Sequence, residues 1–323
     1  MTRTIGFRVF RLLALCMLPL QAGSAPACDD CQFDVALDAN GIGWRQIGLN
    51  ARKAILSASA VLDLSLPDTA DASIEWIDGN GVEGVQGELI EPGAQLVHLN
   101  YSSKWLSRKI DVDLWMNPED GQILQYNQLE TGYKKKLRAS RYTNEGVIRR
   151  TWKPAENEPK LAWQNWSNQD AGFRAIQSEA HDAIFTDSLG VLYVLAASDL
   201  GRGSDRIDVL AFGSHEVSHI VMTAGPIVDV KTDFIAEGPA GEQRCKGKAK
   251  ALKIGVEIKT VGPADEADSG FLSNIEVFLT PESRLPVLVS ADAGWVGNVS
   301  IKMKRARMID DRGCPAGSFK NRP

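Results

Sequence analysis

Ile110-Asp111-Val112-Asp113-Leu114-Trp115-Met116-Asn117-Pro118-Glu119-Asp120-Gly121-Gln122-Ile123-Leu124-Gln125-Tyr126 is the stretch whose reading decides the fold of this 323-residue chain. Ile110, Val112, Leu114 and Met116 recur every second residue, Asn117 to Gly121 supply turn chemistry, and Leu124, Tyr126 and Gln128 resume the same period. Side chains at i and i+2 share one face of a strand, so this run predicts a β-hairpin with one face buried. The pattern repeats outward. A second hairpin is predicted from Leu137 through Thr143-Asn144-Glu145-Gly146 to Trp152. A third pairs Ile275, Val277 and Leu279 with Leu285, Val287 and Val289 across Thr280-Pro281-Glu282-Ser283, and a further strand runs through Val299, Ile301 and Met303. The chain is mainly β.

Two stretches between the hairpins have helical texture. Ser167-Asn168-Gln169-Asp170 reads as an N-cap with an acid three residues on, followed by Phe173, Ile176, Ala180 and Ile184 at helical spacing. Asp187-Ser188 starts a second helix through Leu189, Leu192, Tyr193 and Ala196, ended by Gly201. Residues 155–160 and 263–270 have the composition of exposed loops rather than of domain linkers, so residues 28–323 are read as a single β-rich domain.

The first residues carry an address. Arg3, Arg8 and Arg11 precede an apolar run from Leu12 to Leu20, and small residues follow from Ala22 to Ala27. These are the three regions of a secretory signal peptide occupying residues 1–25, with cleavage after Ala25 or Ala27. The apolar run is too short to cross a hydrocarbon core of about 30 Å. Cleavage after Ala27 would expose Cys28 and open the alternative of a lipid anchor there. No later segment approaches a membrane-spanning helix, so a periplasmic or secreted location is expected. Loss of Arg3, Arg8 and Arg11 takes the formal charge from −5 to −8, a balance that argues against nucleic acid as a partner.

Cys16 leaves with the signal, and Cys28, Cys31, Cys245 and Cys314 remain as disulfide candidates in an oxidising compartment. Four cysteines allow three connectivities. Cys28-Asp29-Asp30-Cys31 has redox-motif spacing, but its two acids would raise a thiol pKa rather than lower it. A stapling bridge is the preferred reading.

Arg141-Tyr142-Thr143-Asn144-Glu145-Gly146-Val147, the segment from Asp187 to Leu195, and Ile275-Glu276-Val277-Phe278-Leu279 leading to Arg284-Leu285-Pro286-Val287 resemble landmarks of the exported proteobacterial domain of unknown function 3108 family. The resemblance runs from about residue 35 to 308. It implies an envelope protein built on a curved antiparallel sheet or open barrel, lipocalin-like or lipoprotein-carrier-like, with one or two short helices. It supplies no catalytic residues.

One motif looks like chemistry. His215-Glu216-Val217-Ser218-His219 fits H-E-x-x-H, in which a helix sets two imidazoles on one zinc ion and the glutamate acts as general base. A zinc-dependent hydrolase or peptidase is therefore the runner-up function, with His215 and His219 as metal ligands, Glu216 as catalytic base, and Glu237 or Glu242 as the third ligand. The motif requires a helix. The window is instead rich in Val and Ile, alternates on both sides of Gly213-Ser214, and closes at Gly225-Pro226. In a strand His215 and His219 would lie about 13 Å apart at roughly 3.3 Å per residue, too far to share an ion. The strand reading, with no cofactor, is preferred.

Lys134, Lys135, Lys136, Arg138, Arg141, Arg149, Arg150 and Lys153 stand against one acid, Glu145, on the second predicted hairpin. They are candidate contacts for an anionic surface, although Lys and Arg also guard exposed sheet edges against pairing. Lys302, Lys304, Arg305 and Arg307 repeat the pattern on the last strand. Trp76, Trp105, Trp115, Trp152, Trp163, Trp166 and Trp295 are candidates for an apolar ligand cavity. The expectation is an uncharacterised envelope protein, non-enzymatic, binding a lipid, another apolar or amphipathic small molecule, or an envelope protein partner. A structural or assembly role is the third reading.

Overall fold

The structure is a computed structural model that describes residues 35–53, 56–105, 107–175, 185–187, 189–212, 217–260, 273–292, 297–310, 314–315 and 318–321. In chain order the strands are β1 (Trp44–Lys53), β2 (Leu56–Ser65), β3 (Val97–Trp105), β4 (Arg108–Met116), β5 (Ile123–Thr131), β6 (Lys136–Tyr142), β7 (Gly146–Lys153), β8 (Asn168–Ala175) and β9 (Phe185–Thr186). The helix α1 (Gly190–Ala197) comes next. It is followed by β10 (Arg206–Phe212), β11 (Val217–Gly238), β12 (Gly241–Thr260), β13 (Ser273–Leu279), β14 (Pro286–Asp292), β15 (Asn298–Met308) and β16 (Ser318–Asn321).

They build one large curved sheet. Its path is β8-β7-β6-β5-β4-β3-β2-β1-β15-β14-β13-β12-β11-β10-β9, with β16 added beside β12. From β1 to β8 and from β10 to β15 sequence neighbours pair antiparallel, β9 pairs β10 in parallel, and β1 meets β15. Where β14 leaves β15, β11 takes its place: Ile235, Ala236 and Glu237 pair in parallel with Arg305, Ala306 and Arg307. The three predicted hairpins are β4/β5, β6/β7 and β13/β14.

Alternation decides which face is buried. On β2 to β4 the inward set is Leu62, Leu64, Leu99, Tyr101, Val112 and Leu114, all within the main core. On the other face the 66–96 segment packs over β4 to β7, with Ile74, Trp76 and Ile90 against Trp115 and Leu124. Backbone groups of that segment need partners, and the sheet supplies them. Gln125 accepts from Ile77 N and donates to Glu75 O, and Asn144 Oδ1 accepts from Glu88 N.

Helix α1 lies inside the core and is apolar all round, as a fully buried helix must be. Its ends are satisfied by side chains. Asp187 Oδ1 accepts from Leu189 N at 2.8 Å and Gly190 N at 2.9 Å, the role of an N-cap. At the other end the buried Arg284 donates from Nη2 to Leu195 O at 2.8 Å and from Nη1 to Leu200 O at 3.1 Å, where a cation also suits the helix dipole. Tyr193 Oη donates to Pro118 O in the β4/β5 turn. In that turn Gly121 has φ 71°, and an added Cβ would meet Leu37 at 2.9 Å and Val194 at 3.2 Å, so glycine is required for both backbone and space.

Three expectations are corrected. The helix read from Ser167 onward is a strand over its described part: 168–175 form β8, paired with β7 along its length, while 176–184 lie outside the described residues. Pairing to the open edge of β7 satisfies every second backbone group at once, which a short sequence with weak helical spacing cannot match. Gly225-Pro226 does not end β11 but makes a bulge between Ala224 and Ile227, a strand position that tolerates a missing N–H. The basic strands are not edges either, since β6 and β7 are flanked on both sides and β8 takes the edge.

Candidate functional site

The register turns the inner face of the sheet into a graded surface. Cross-strand partners share a face. One row reads Tyr101, Val112, Gln128, Arg138, Thr151; the next reads Leu99, Leu114, Tyr126, Ser140, Arg149; a third reads Ser103, Ile110, Glu130, Lys136. From β4 to β7 the rows pass from Val112, Leu114 and Ile110 to Arg138, Arg149 and Lys136, with Thr151 beyond Arg138 and Glu130 opposite Lys136. Lys153 follows Thr151 by two residues, and Arg174 pairs with Val147, so both join the same face.

Lys136, Arg138, Arg149 and Arg174 are half-buried and Lys153 is exposed. Burial, followed by Arg138, Lys153 and Arg149, pushes the Lys136 ammonium down to about 8. Burial also lowers the Arg149 guanidinium, with Arg138 and Arg174 acting in the same direction. Glu130, which faces Lys136 across the strands, is held by Arg108 Nη2 at 2.8 Å. Asp170 is exposed on the edge strand. Cations gathered on one side of a sheet at a cost to their own charging are poised to gain from an incoming anion.

The other predicted basic residues have different work. Arg141 is buried on the outer face, donating to Leu124 O and Ile90 O at 2.7 Å each, with its guanidinium 4.6 Å from the Trp76 ring. Arg150 donates to Asn80 O at 2.5 Å. Both fasten the 66–96 segment, and Arg141 is buried. Lys134 and Lys135 lie in the β5/β6 turn, and Lys135 Nζ donates to Pro159 O. Arg305 pairs with Glu237 and Glu242 at 3.2 and 2.7 Å.

That pairing also removes the third ligand of the zinc reading. His219 is in strand β11, not on a helix, and its Nε2 lies 2.6 Å from Oδ1 of the fully buried Asp208. Arg206 holds the same carboxylate from Nε and Nη2 at 2.8 and 2.9 Å. His215 and Glu216 lie outside the described residues, between Phe212 and Val217, which pair with each other. Among the described residues no three His, Cys, Asp or Glu side chains are grouped to hold a metal.

Cys245 and Cys314 form a disulfide that ties the chain after β15 to β12; Cys28 and Cys31 lie outside the described residues. The tryptophans are scattered rather than gathered round one cavity. Trp115 and Trp152 point outward, Trp76 belongs to the covering segment, and Trp44 is core; Trp295 lies outside the described residues. On β3, β5 and β6 the inner face carries Tyr101, Tyr126 and Tyr142. Sequence reasoning missed Arg174 because its segment read as helix. The signal that finds it is the alternation Asp170, Gly172, Arg174 continued across from β7.

Among the described residues no helix is long and apolar enough to cross a membrane. Comparison with family models, with curated proteins and with solved structures gave no match.

Proposed function

We propose that this chain is an exported binding protein of the cell envelope that holds an amphipathic molecule, its apolar part toward β4 and β5 and its anionic end on Lys136, Arg138, Arg149 and Lys153. The observation that carries the reading is the graded inner face, where three cross-strand rows pass from Leu, Val and Ile to Arg and Lys. A signal-like N-terminus and a Cys245–Cys314 bridge support an oxidising compartment. Binding rather than catalysis is supported by the structural employment of the motif residues: His219 is spent on Asp208, and Glu237 and Glu242 on Arg305. Kinship with the domain of unknown function 3108 family belongs to the same proposal. Its support is that the three landmark segments converge on α1, since Asp187 caps the helix, Arg284 closes it, and the Asp187 carboxylate acts on buried Tyr142.

Native mass spectrometry of protein isolated from its own envelope tests this. One anionic amphiphile per chain is expected. Arg138→Glu should lower its occupancy strongly, because a charge-assisted contact is worth about 1.5 to 3 kcal/mol, or roughly ten- to a hundredfold. A ligand-free protein, or occupancy indifferent to Arg138→Glu, would end the reading.

A further inference from the structure

At one end of the sheet two connections meet. The β5/β6 turn presents Tyr133, 88% exposed, with Lys134 exposed beside it; the loop between β7 and β8 presents Leu161, 47% exposed, beside exposed Lys160. They are fastened to each other and to the sheet. Lys135 donates to Pro159 O, and Trp163 sits edge-on to Trp152 with centroids 5.9 Å apart.

The loop is built rather than loose. Glu158 Oε2 accepts from Ala155 N and Ser167 N, each at 2.8 Å, Leu161 N donates to Glu158 O, and Trp166 Nε1 donates to Leu161 O. One of its two acids is therefore turned onto backbone and away from the tip, while Glu156 stays exposed. What faces solvent is two large side chains, Tyr133 and Leu161, beside Lys134 and Lys160.

Large apolar groups that stay exposed on a fastened scaffold mark a contact surface. An aromatic ring with a polar end, an aliphatic side chain and two long-stemmed lysines is the composition that suits the headgroup layer of a bilayer. A protein groove would bury the lysines at a cost; a lipid surface leaves them among phosphates.

We propose that the 132–135 turn and the 154–166 loop form a tip that docks on an anionic bilayer surface, with Tyr133 and Leu161 entering the interface and Lys134 and Lys160 facing lipid phosphates. The tip adjoins the ends of β6 and β7 that carry Lys136 and Lys153, so a bound surface lies beside the basic part of the inner face. Docking does not depend on that face being a ligand site.

The test is cosedimentation of the mature, oxidised chain with vesicles of phosphatidylcholine alone and of phosphatidylcholine mixed with phosphatidylglycerol. Binding to the mixed vesicles, weakened by salt as screened charge requires, is expected. Each lysine near such a surface is worth roughly fivefold in partitioning, so Lys134→Gln with Lys160→Gln should lower binding about 25-fold. Tyr133→Ser with Leu161→Ser should release the chain from the same vesicles. All four side chains are exposed, so these variants keep the fold, and circular dichroism checks that. They should leave any co-purified amphiphile in place, while Arg138→Glu should remove the amphiphile and leave docking. No binding to the mixed vesicles, binding indifferent to both pairs of changes, or a lipid-independent dimer lost with Leu161→Ser would each overturn the proposal; the last would make the tip a contact between copies.

Discussion

Replacing Asp187 by Asn separates two jobs that one buried side chain performs. Oδ1 caps α1 by accepting from Leu189 N and Gly190 N, in a residue only 5% exposed. Burial lifts the carboxyl from 3.8 to about 6, against the downward pull of the hydrogen bonds from Gly190 and Leu189. The folded protein therefore holds this proton more tightly than the unfolded chain does. The resulting stability is fully present below about pH 4 and is lost as pH rises through about 6. A shift of about two units at about 1.4 kcal/mol each makes the loss about 3 kcal/mol. Asparagine keeps the acceptor and cannot ionise. The stability of the parent relative to Asp187→Asn should therefore fall by about 3 kcal/mol between pH 4 and pH 7 and stay flat above. Urea melts of the oxidised mature chain, followed by tryptophan fluorescence across this range, measure the difference, and groups common to both proteins cancel. Parallel pH profiles would refute the reasoning, because they would mean that the cap does not change charge in this window. Asp187→Ala adds a control: it loses the two cap bonds as well, and should cost a further 0.5 to 2 kcal/mol or so at every pH.

Cys245→Ser opens a loop spanning a sequence separation of 69 and should cost about 4 kcal/mol by the chain-entropy relation; melts with and without reductant should differ for the parent and coincide for the variant. Arg284→Met leaves the carbonyls of Leu195 and Leu200 without their donors and should cost on the order of 2 to 4 kcal/mol in denaturant melts. Arg284→Lys should rescue little, since one ammonium lacks the planar fork that reaches both carbonyls. Affinity for an anionic amphiphile should fall as pH rises through about 8, where Lys136 gives up its proton, and Lys136→Arg should remove that fall because a guanidinium stays charged. A titration from neutral to alkaline pH reads both, and a flat parent profile would exclude Lys136 as a contact.

Much of this was legible in the chain. Ile110, Val112, Leu114 and Met116 with Asn117 to Gly121 specify a hairpin whatever surrounds them, because strand period and turn chemistry are local properties. Asp187 and the apolar run to Ala197 specify α1 for the same reason. The basic cluster was visible as composition but not as a site. Arg138 and Arg149 share a face, Arg141 and Arg150 the other, and only alternation read together with cross-strand register separates them.

Other outcomes depended on partners distant in sequence. Residues 168–175 read as the start of a helix, and the open edge of β7 made them a strand. His219 looked like a ligand until β10 set Asp208 beside it, and Glu237 and Glu242 looked available until β11 met β15 and gave them Arg305. The sequence by itself determined strands, turns, the capped helix and the store of positive charge, since those follow from neighbours one to four residues away. Which face each cation occupies, and which carboxylate it meets, was decided by the tertiary structure, because a sheet brings together residues separated by tens to hundreds of positions and a shift of one residue in pairing reverses every side chain.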